Sequence, residues 1–310
     1  MNNIQHLKYA VEVEKTGSIS KAAQNLFMGQ PHLSKAIKEL EDSLGITVFN
    51  RTPHGVVPTV RGAEFLRYAK SILAQIEEME SLYKQTDETV HRFDISVPRA
   101  SYISSAFSEF ARALENEKEI DLNYRETNSM RAIKNVADNV NNIAIIRYQE
   151  VYEKYFFSAL EERDLEFLPI WEFNYLILMS GKHPLAGKDT IKNSDLRKYT
   201  EIVHGDISIP ALPLSEARQI EKADDKKKKI TVYERGSQLE LLSRLSSTYM
   251  WVSPMPPDVR DCFSLIQRKC SRPNNVFKDI LIHRKGYHLS AEDSLFIEFL
   301  TQSVKTVSLE

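Results

Sequence analysis

Apolar residues at Ile4, Leu7 and Val11 recur three and four apart, which predicts a short helix with one buried stripe that Gly17-Ser18 brings to a stop. Ser18 is placed to cap a second helix, Ile19 to Leu26, whose Ala22-Ala23 pair lets a neighbouring helix approach closely. After a turn at Phe27-Met28-Gly29, Pro31 opens a third helix, in which Leu33, Ile37, Leu40 and Leu44 form an unbroken stripe and Gly45 ends it. The opposite face shows Gln30, His32, Ser34, Lys35 and Lys38 to solvent. Two β-prone runs, Thr47-Val48-Phe49 and Val56-Val57, flank the turn-forming Arg51-Thr52-Pro53-His54-Gly55. Three helices and a small hairpin predict a winged helix-turn-helix over residues 1–60.

A stricter period follows. Phe65, Ala69, Ile72, Ile76, Met79 and Tyr83 alternate at spacings of four and three, the 3.5-residue repeat of a coiled-coil seam. A long linker helix over residues 61–90 is predicted, with Phe65, Ala69, Ile72, Ile76 and Met79 as its self-association face. From Arg92 onward strand-like and helical runs alternate. Phe93 to Val97 leads to a helix from Ser101 to Leu114, Asp121 to Glu126 leads to a helix from Ser129 to Asp138, and Ile143 to Ile146 is a continuous apolar strand. That order predicts a largely parallel sheet with ligands beyond the carboxyl ends of its strands. A second lobe is expected to begin with Leu165 to Trp171 and Tyr175 to Met179. It continues through Glu201 to His204, Lys229 to Tyr233, a helix from Ser237 to Ser246, and Met250 to Val252. Val276 to His283 and a helix from Ala291 to Val304 then return to the first lobe. The expected architecture is α/β overall, with lobe 1 at about 91–163 and 271–305 and lobe 2 at about 164–270.

Composition narrows the class more than it names a function. With 310 residues, 42% hydrophobic and 27% charged, the chain sits near globular averages, against disordered or fibrous alternatives. Its longest aliphatic stretch, Leu176 to Met179, is far short of the roughly 20 residues of a membrane span. No apolar secretory leader opens the chain, so a cytoplasmic protein without a membrane partner is expected. Cys262 and Cys270 are the only cysteines and lie in no C-x-x-C pair, which argues against a zinc cage or disulfide scaffold. The net charge of −2 excludes a uniformly basic surface but leaves room for a local basic face. No nucleophile elbow, Walker loop, zincin or dinucleotide motif occurs, so neither catalysis nor a cofactor or metal is expected.

In a winged helix-turn-helix the third helix enters the major groove and the wing reaches the neighbouring backbone. Gln30 suits a bidentate pair with adenine, while Lys35, Lys38 and Arg51 suit phosphates. With Ser20, Lys21, Pro31, His32 and Ser34 they make up the candidate DNA-binding set. Taken together, Gly17-Ser18-Ile19-Ser20-Lys21-Ala22-Ala23, Gln30-Pro31-His32-Leu33-Ser34 and Leu44-Gly45-Ile46-Thr47-Val48-Phe49-Asn50-Arg51 make a specific combination. The segment resembles the DNA-binding domain of LysR-type transcriptional regulators over about 60 contiguous residues. Gly29 stands where Ser is common, and His32 where a small residue is common.

The resemblance implies a transcriptional regulator that binds an inverted-repeat operator in double-stranded DNA as a homodimer or homotetramer. It also implies a two-lobed, periplasmic-binding-protein-like domain that senses a small-molecule effector and communicates with RNA polymerase. It weakens along the chain: Asn142 stands where Asp is common, and Ala100 where Ser or Thr is. The turn and strand ends facing the expected cleft supply Arg99, Ser101, Thr127, Asn128, Ser129, Arg147 and His204 as effector-binding candidates, and Arg99 favours an anionic ligand. Each is equally an ordinary helix cap or polar loop residue. Asp224 to Lys229 is expected to be a solvated loop. Two further classes stay open: a DNA-tethered enzyme acting on a metabolite, and a redox sensor using Cys262 and Cys270.

Overall fold

Residues 4–53, 55–83, 90–205, 228–271 and 276–308 are described in a computed structural model. The chain divides into two compact units, Met1–Asp87 and Glu88–Glu310. In the first, α1 (Ile4–Thr16), α2 (Ile19–Asn25) and α3 (Gln30–Leu44) are followed by a hairpin of β1 (Phe49–Thr52) and β2 (Gly55–Pro58), then by α4 (Val60–Tyr83). Val13, Ala22, Leu33, Ile37, Leu40, Val48 and Leu66 form one core. The Ser18 hydroxyl caps α2 by accepting from the Lys21 N–H, and Gly45 closes α3 in the left-handed region at φ 66°. The first wing strand lies slightly later than its apolar run suggests, because Val48 turns into the core instead of pairing.

Glu41, on the flank of α3, holds the wing to that helix. Its Oε1 accepts from the backbone N–H groups of Val48 at 2.7 Å and Phe49 at 3.0 Å. Hydrogen bonds to a charged acceptor contribute about 1.5–3 kcal/mol. Glu41→Ala is therefore expected to speed hydrogen exchange of the Val48 and Phe49 amides by roughly tenfold to hundredfold. Unchanged protection there would show that the wing is held by something else.

The helix predicted as a linker contributes its first turns to the same core. Leu66 is buried, Phe65 packs beside it, and Lys70 pairs with Glu14 of α1 at 2.9 Å. Ala69 is only 1% exposed within the single chain, so it is not available to a partner. The expected five-residue seam is corrected accordingly: Phe65 and Ala69 face inward, while Ile72 and Ile76 stay half-exposed and Met79 exposed.

The second unit holds two sheets. The first has the order β4-β3-β5-β13-β6, from β3 (Val90–Val97), β4 (Glu119–Glu126), β5 (Ile143–Gln149), β6 (Leu165–Asn174) and β13 (Val276–Arg284). β3 runs parallel to β4 and β5, and β13 is antiparallel to both β5 and β6, so the sheet is largely parallel, as expected, with β13 alone reversed. β5 has the continuous apolar run of a strand covered on both faces. One face packs on α5 (Ser101–Ala113) and α10 (Ala291–Ser308), with the Phe93 ring 4.7 Å from that of Phe110 and 5.1 Å from that of Phe296. The other packs on α6 (Ser129–Ala137) and α7 (Glu153–Glu161), the latter missed in the sequence.

The second sheet has the order β10-β9-β11-β7-β12-β8, from β7 (Leu176–Ser180), β8 (Thr190–Lys192), β9 (Thr200–His204), β10 (Lys229–Val232), β11 (Thr248–Val252) and β12 (Leu265–Ser271). It is flanked by α8 (Arg235–Arg244) and α9 (Pro257–Cys262). The expected lobe boundary at 164 is too early. All of β6 pairs with β13 in the first sheet, and the chain crosses at Tyr175. The expected loop from Asp224 lies outside the described residues up to position 227.

Candidate nucleic-acid interface and ligand cleft

In the first unit the stripe that buries Leu33, Ile37 and Leu40 leaves the other side of α3 to solvent. Gln30, Pro31, His32, Lys35 and Lys38 are exposed there, and Ser34 is half-buried. Ser20 and Lys21 are exposed in the first turn of α2. Arg51 of β1 donates from Nη2 to Ser34 Oγ at 3.0 Å, which joins the wing to the exposed face of α3. Lys35 pairs with Glu39 at 3.7 Å, both largely exposed, so that ion pair holds the ammonium only weakly. Gly29, the N-cap of α3, makes no side-chain cap, which leaves the N–H groups of the first turn for another acceptor.

In the second unit a cavity of about 380 Å³ opens between the two sheets. All seven candidates from the sequence line it: Arg99, Ser101, Thr127, Asn128, Ser129, Arg147 and His204. Helices α5, α6 and α8 begin at Ser101, Ser129 and Arg235, so three helix N-termini meet at this cavity. Most of the remaining wall is apolar or aromatic, with Tyr152, Phe156, Tyr175, Trp251, Met255 and Phe277.

Several candidates are also committed to the fold. Asn128 Oδ1 caps α6 by accepting from the Arg131 N–H at 2.9 Å. Ser129 Oγ donates to the Arg147 carbonyl at 2.6 Å and accepts from its N–H at 3.2 Å, clipping α6 to β5. The Arg147 side chain is 7% exposed and meets a fully buried Asp279 in a bidentate pair, Nε–Oδ1 at 2.7 Å and Nη2–Oδ2 at 2.6 Å. Its guanidinium also lies over Phe173 at 4.8 Å. Arg147, a candidate for ligand contact from its place at a strand end, lines the cleft with its guanidinium already held by Asp279.

Tyr102 donates its hydroxyl to Asp279 from the other side. Burial, reinforced by the Asp279 carboxylate, pushes the Tyr102 phenol well above its ordinary range. Burial alone would lower the Arg147 pKa, but Asp279 carries it well above the usual arginine value. Tyr148, on the cleft wall, is pushed up to about 12 by burial and by Glu153.

The sequence reading missed residues that organise the cleft. Arg235 was passed over because the helix it begins was expected two residues later. From lobe 2 it reaches Glu126 and, at 2.7 Å, Ser101 Oγ, both of lobe 1. Gln238, fully buried, lies 2.8 Å from His204 Nδ1. Asp279 carried a legible signal, an acid set against the apolar run Ile280-Leu281-Ile282. Cys262 ends α9 exposed and Cys270 is half-buried in β12; neither lines the cleft. Among the described residues no cluster of His, Cys, Asp and Glu could hold a metal ion, and no helix is long and apolar enough to cross a membrane.

A winged helix-turn-helix with a polar, partly basic reading face, on the same chain as a two-lobed α/β domain, defines a DNA-binding regulator. Residues 4–63 match the family model of bacterial regulatory helix-turn-helix proteins of the lysR family. The HTH-type transcriptional regulator AlsR of Bacillus subtilis is 24% identical over 292 residues, 92% of this chain and 91% of that protein. Among solved structures, a full-length single-residue variant of OxyR from Pseudomonas aeruginosa shares the fold at TM-score 0.65 and 17% identity, covering all of this chain and 96% of the other. CbnR complexed with its target DNA does so at TM-score 0.55 and 15% identity, covering 97% and 99%. Residues 4–63 thus carry a lysR-type DNA-binding domain, and over most of its length the chain is similar to a transcriptional regulator.

Proposed function

We propose that this regulator reads an inverted-repeat operator as a homodimer or homotetramer in the cytoplasm, and that a small anionic effector bound between its lobes alters its contact with DNA and RNA polymerase. The observation that carries the reading is the cleft, lined by every residue that the strand-end argument nominated. In the DNA interface, Gln30 and His32 meet base edges at the start of α3, Ser20, Lys21, Pro31 and Ser34 position the helix, and Lys35, Lys38 and Arg51 neutralise phosphates. Ile72, Ile76 and Met79 are the part of the α4 seam left for a second copy.

The test is recovery of genomic fragments by the purified protein at moderate salt, with and without candidate metabolites. An enriched inverted repeat supports the reading, and no enrichment under any condition removes it. On the recovered site, Lys35→Ala and Arg51→Ala should each weaken binding and lower the slope of log affinity against log salt by about 1, since each phosphate contact releases about 0.9 counterion. An unchanged slope would place that residue outside the interface.

A further inference from the structure

At the corner of the cleft where lobe 2 touches lobe 1, an arginine that lines the cavity is already held by a carboxylate of the chain itself. Glu126 ends β4 and Ser101 begins α5, both in lobe 1, while Arg235 begins α8 in lobe 2. The Arg235 guanidinium divides itself between them: Nη1 pairs with Glu126 Oε1, and Nη2 donates to Ser101 Oγ at 2.7 Å. Neither charged partner is deeply sealed, the Glu126 side chain being 19% exposed and that of Arg235 21%. Arg235 and Ser101 line the cavity, so the guanidinium that Glu126 holds is within reach of an entering molecule. The contrast with Arg147 matters, because Asp279 is fully buried behind it and cannot be replaced without leaving a buried charge unpaired.

We propose that Glu126 is a tethered stand-in for the ligand's carboxylate. An effector carboxylate entering from the cleft takes its place on Arg235 and Ser101, and Glu126 is released to solvent. Arg235 is then the residue that reports occupancy, because the bond that ties the lobes together changes from an internal one to one made through the ligand. The class of ligand follows. It is a carboxylic acid, since the place to be filled is that of a carboxylate facing a guanidinium and a hydroxyl. Its body is apolar or aromatic and fits about 380 Å³, since the rest of the wall is largely Tyr, Phe, Trp and Met. A second acidic group gains nothing from Arg147, which Asp279 already neutralises. This inference rests on the cleft being the effector site, but its test needs no DNA and no knowledge of the natural effector.

The experiment measures the distance between spin labels on Glu115→Cys in lobe 1 and Lys198→Cys in lobe 2, both exposed, in full-length protein carrying Cys262→Ser and Cys270→Ser. The labelled protein is diluted with unlabelled protein so that only pairs within one chain are read. Glu126→Ala should shift or broaden the distribution. Acetate at millimolar concentration should return it toward that of the parent, and acetamide, its neutral counterpart, should not. Benzoate should act at a concentration at least tenfold lower than acetate, because its ring covers apolar wall. Arg235→Gln should disturb the distribution in the same way and respond to neither acid. Glu126→Gln, which keeps the side chain's volume, should behave as Glu126→Ala does and so separates loss of charge from loss of packing.

The proposal is overturned if Glu126→Ala leaves the distances unchanged, if acetate and acetamide act alike, or if acetate acts equally on Arg235→Gln. No gain from the benzoate ring would overturn the apolar-body part. Failed rescue in a protein that still enriches an operator would remove the stand-in alone. Successful rescue without operator binding would remove the regulator reading alone.

Discussion

Asp279→Ala is expected to destabilise the second, two-lobed unit by about 3–5 kcal/mol, the cost of breaking a buried ion pair by deleting one partner. The loss has a specific origin. Arg147 is held from three directions, by Asp279 in two hydrogen bonds, by the Phe173 ring at 4.8 Å, and by the clip that Ser129 makes to its backbone. It cannot swing to water when Asp279 is removed, and a guanidinium stays unpaired inside the lobe. Tyr102 loses its acceptor at the same time. Urea denaturation followed through Trp171, which packs edge-on to Tyr102 at 5.2 Å, reads this lobe directly. The double variant Asp279→Leu with Arg147→Met should recover most of the loss, since an apolar pair of similar volume avoids desolvating two charges. A cost below about 1 kcal/mol for Asp279→Ala would mean that the pair is far better hydrated than its burial implies.

The second large effect lies in the DNA-binding unit. At Gly62 an added Cβ would stand 1.9 Å from the Val48 carbonyl oxygen and 2.7 Å from its carbon, both backbone atoms. No rotamer change relieves such an overlap. The start of α4 would have to move away, breaking the Thr59 N–H to Val48 carbonyl bond at 2.9 Å and the Thr59 hydroxyl's bond to the Thr47 carbonyl at 2.7 Å. Overpacking commonly costs about 1–3 kcal/mol and more where the backbone itself must shift, so Gly62→Ala is expected at about 3 kcal/mol or above. DNA affinity should fall at least tenfold, because the same shift displaces the wing, while the unfolding transition of the two-lobed unit stays where it is. Operator binding at parental strength would show that α4 can start elsewhere without harm to the wing.

The sequence made the two ends of the architecture legible for different reasons. Helices α1 to α3 are short, amphipathic and punctuated by Gly17, Ser18, Pro31 and Gly45, so period and caps agreed on their limits. The candidate residues of the cleft were found because strand ends are places, and a place can be read from chain order. What those residues do there was hidden. The partner of Arg147 is 132 positions away and that of Arg235 is 109 positions away, so neither ion pair leaves a local mark. The lobe boundary failed for a related reason. β6 and β7 are both strands separated by a single residue, and no local pattern tells two adjoining strands of one sheet from strands that part into two. The seam of α4 misled in the opposite way, because a period says that a stripe is buried but not against which surface.

The crossing at Tyr175 has a mechanical consequence. Its ring lies on Phe277, near the start of the strand that brings the chain back, with centroids 3.8 Å apart and planes within 9° of parallel. Two stacked rings can slide and swivel about their shared normal at little cost, but prising them apart exposes both faces to water. A joint of this kind resists splaying and yields to twist. The two lobes would then turn past each other more readily than they part.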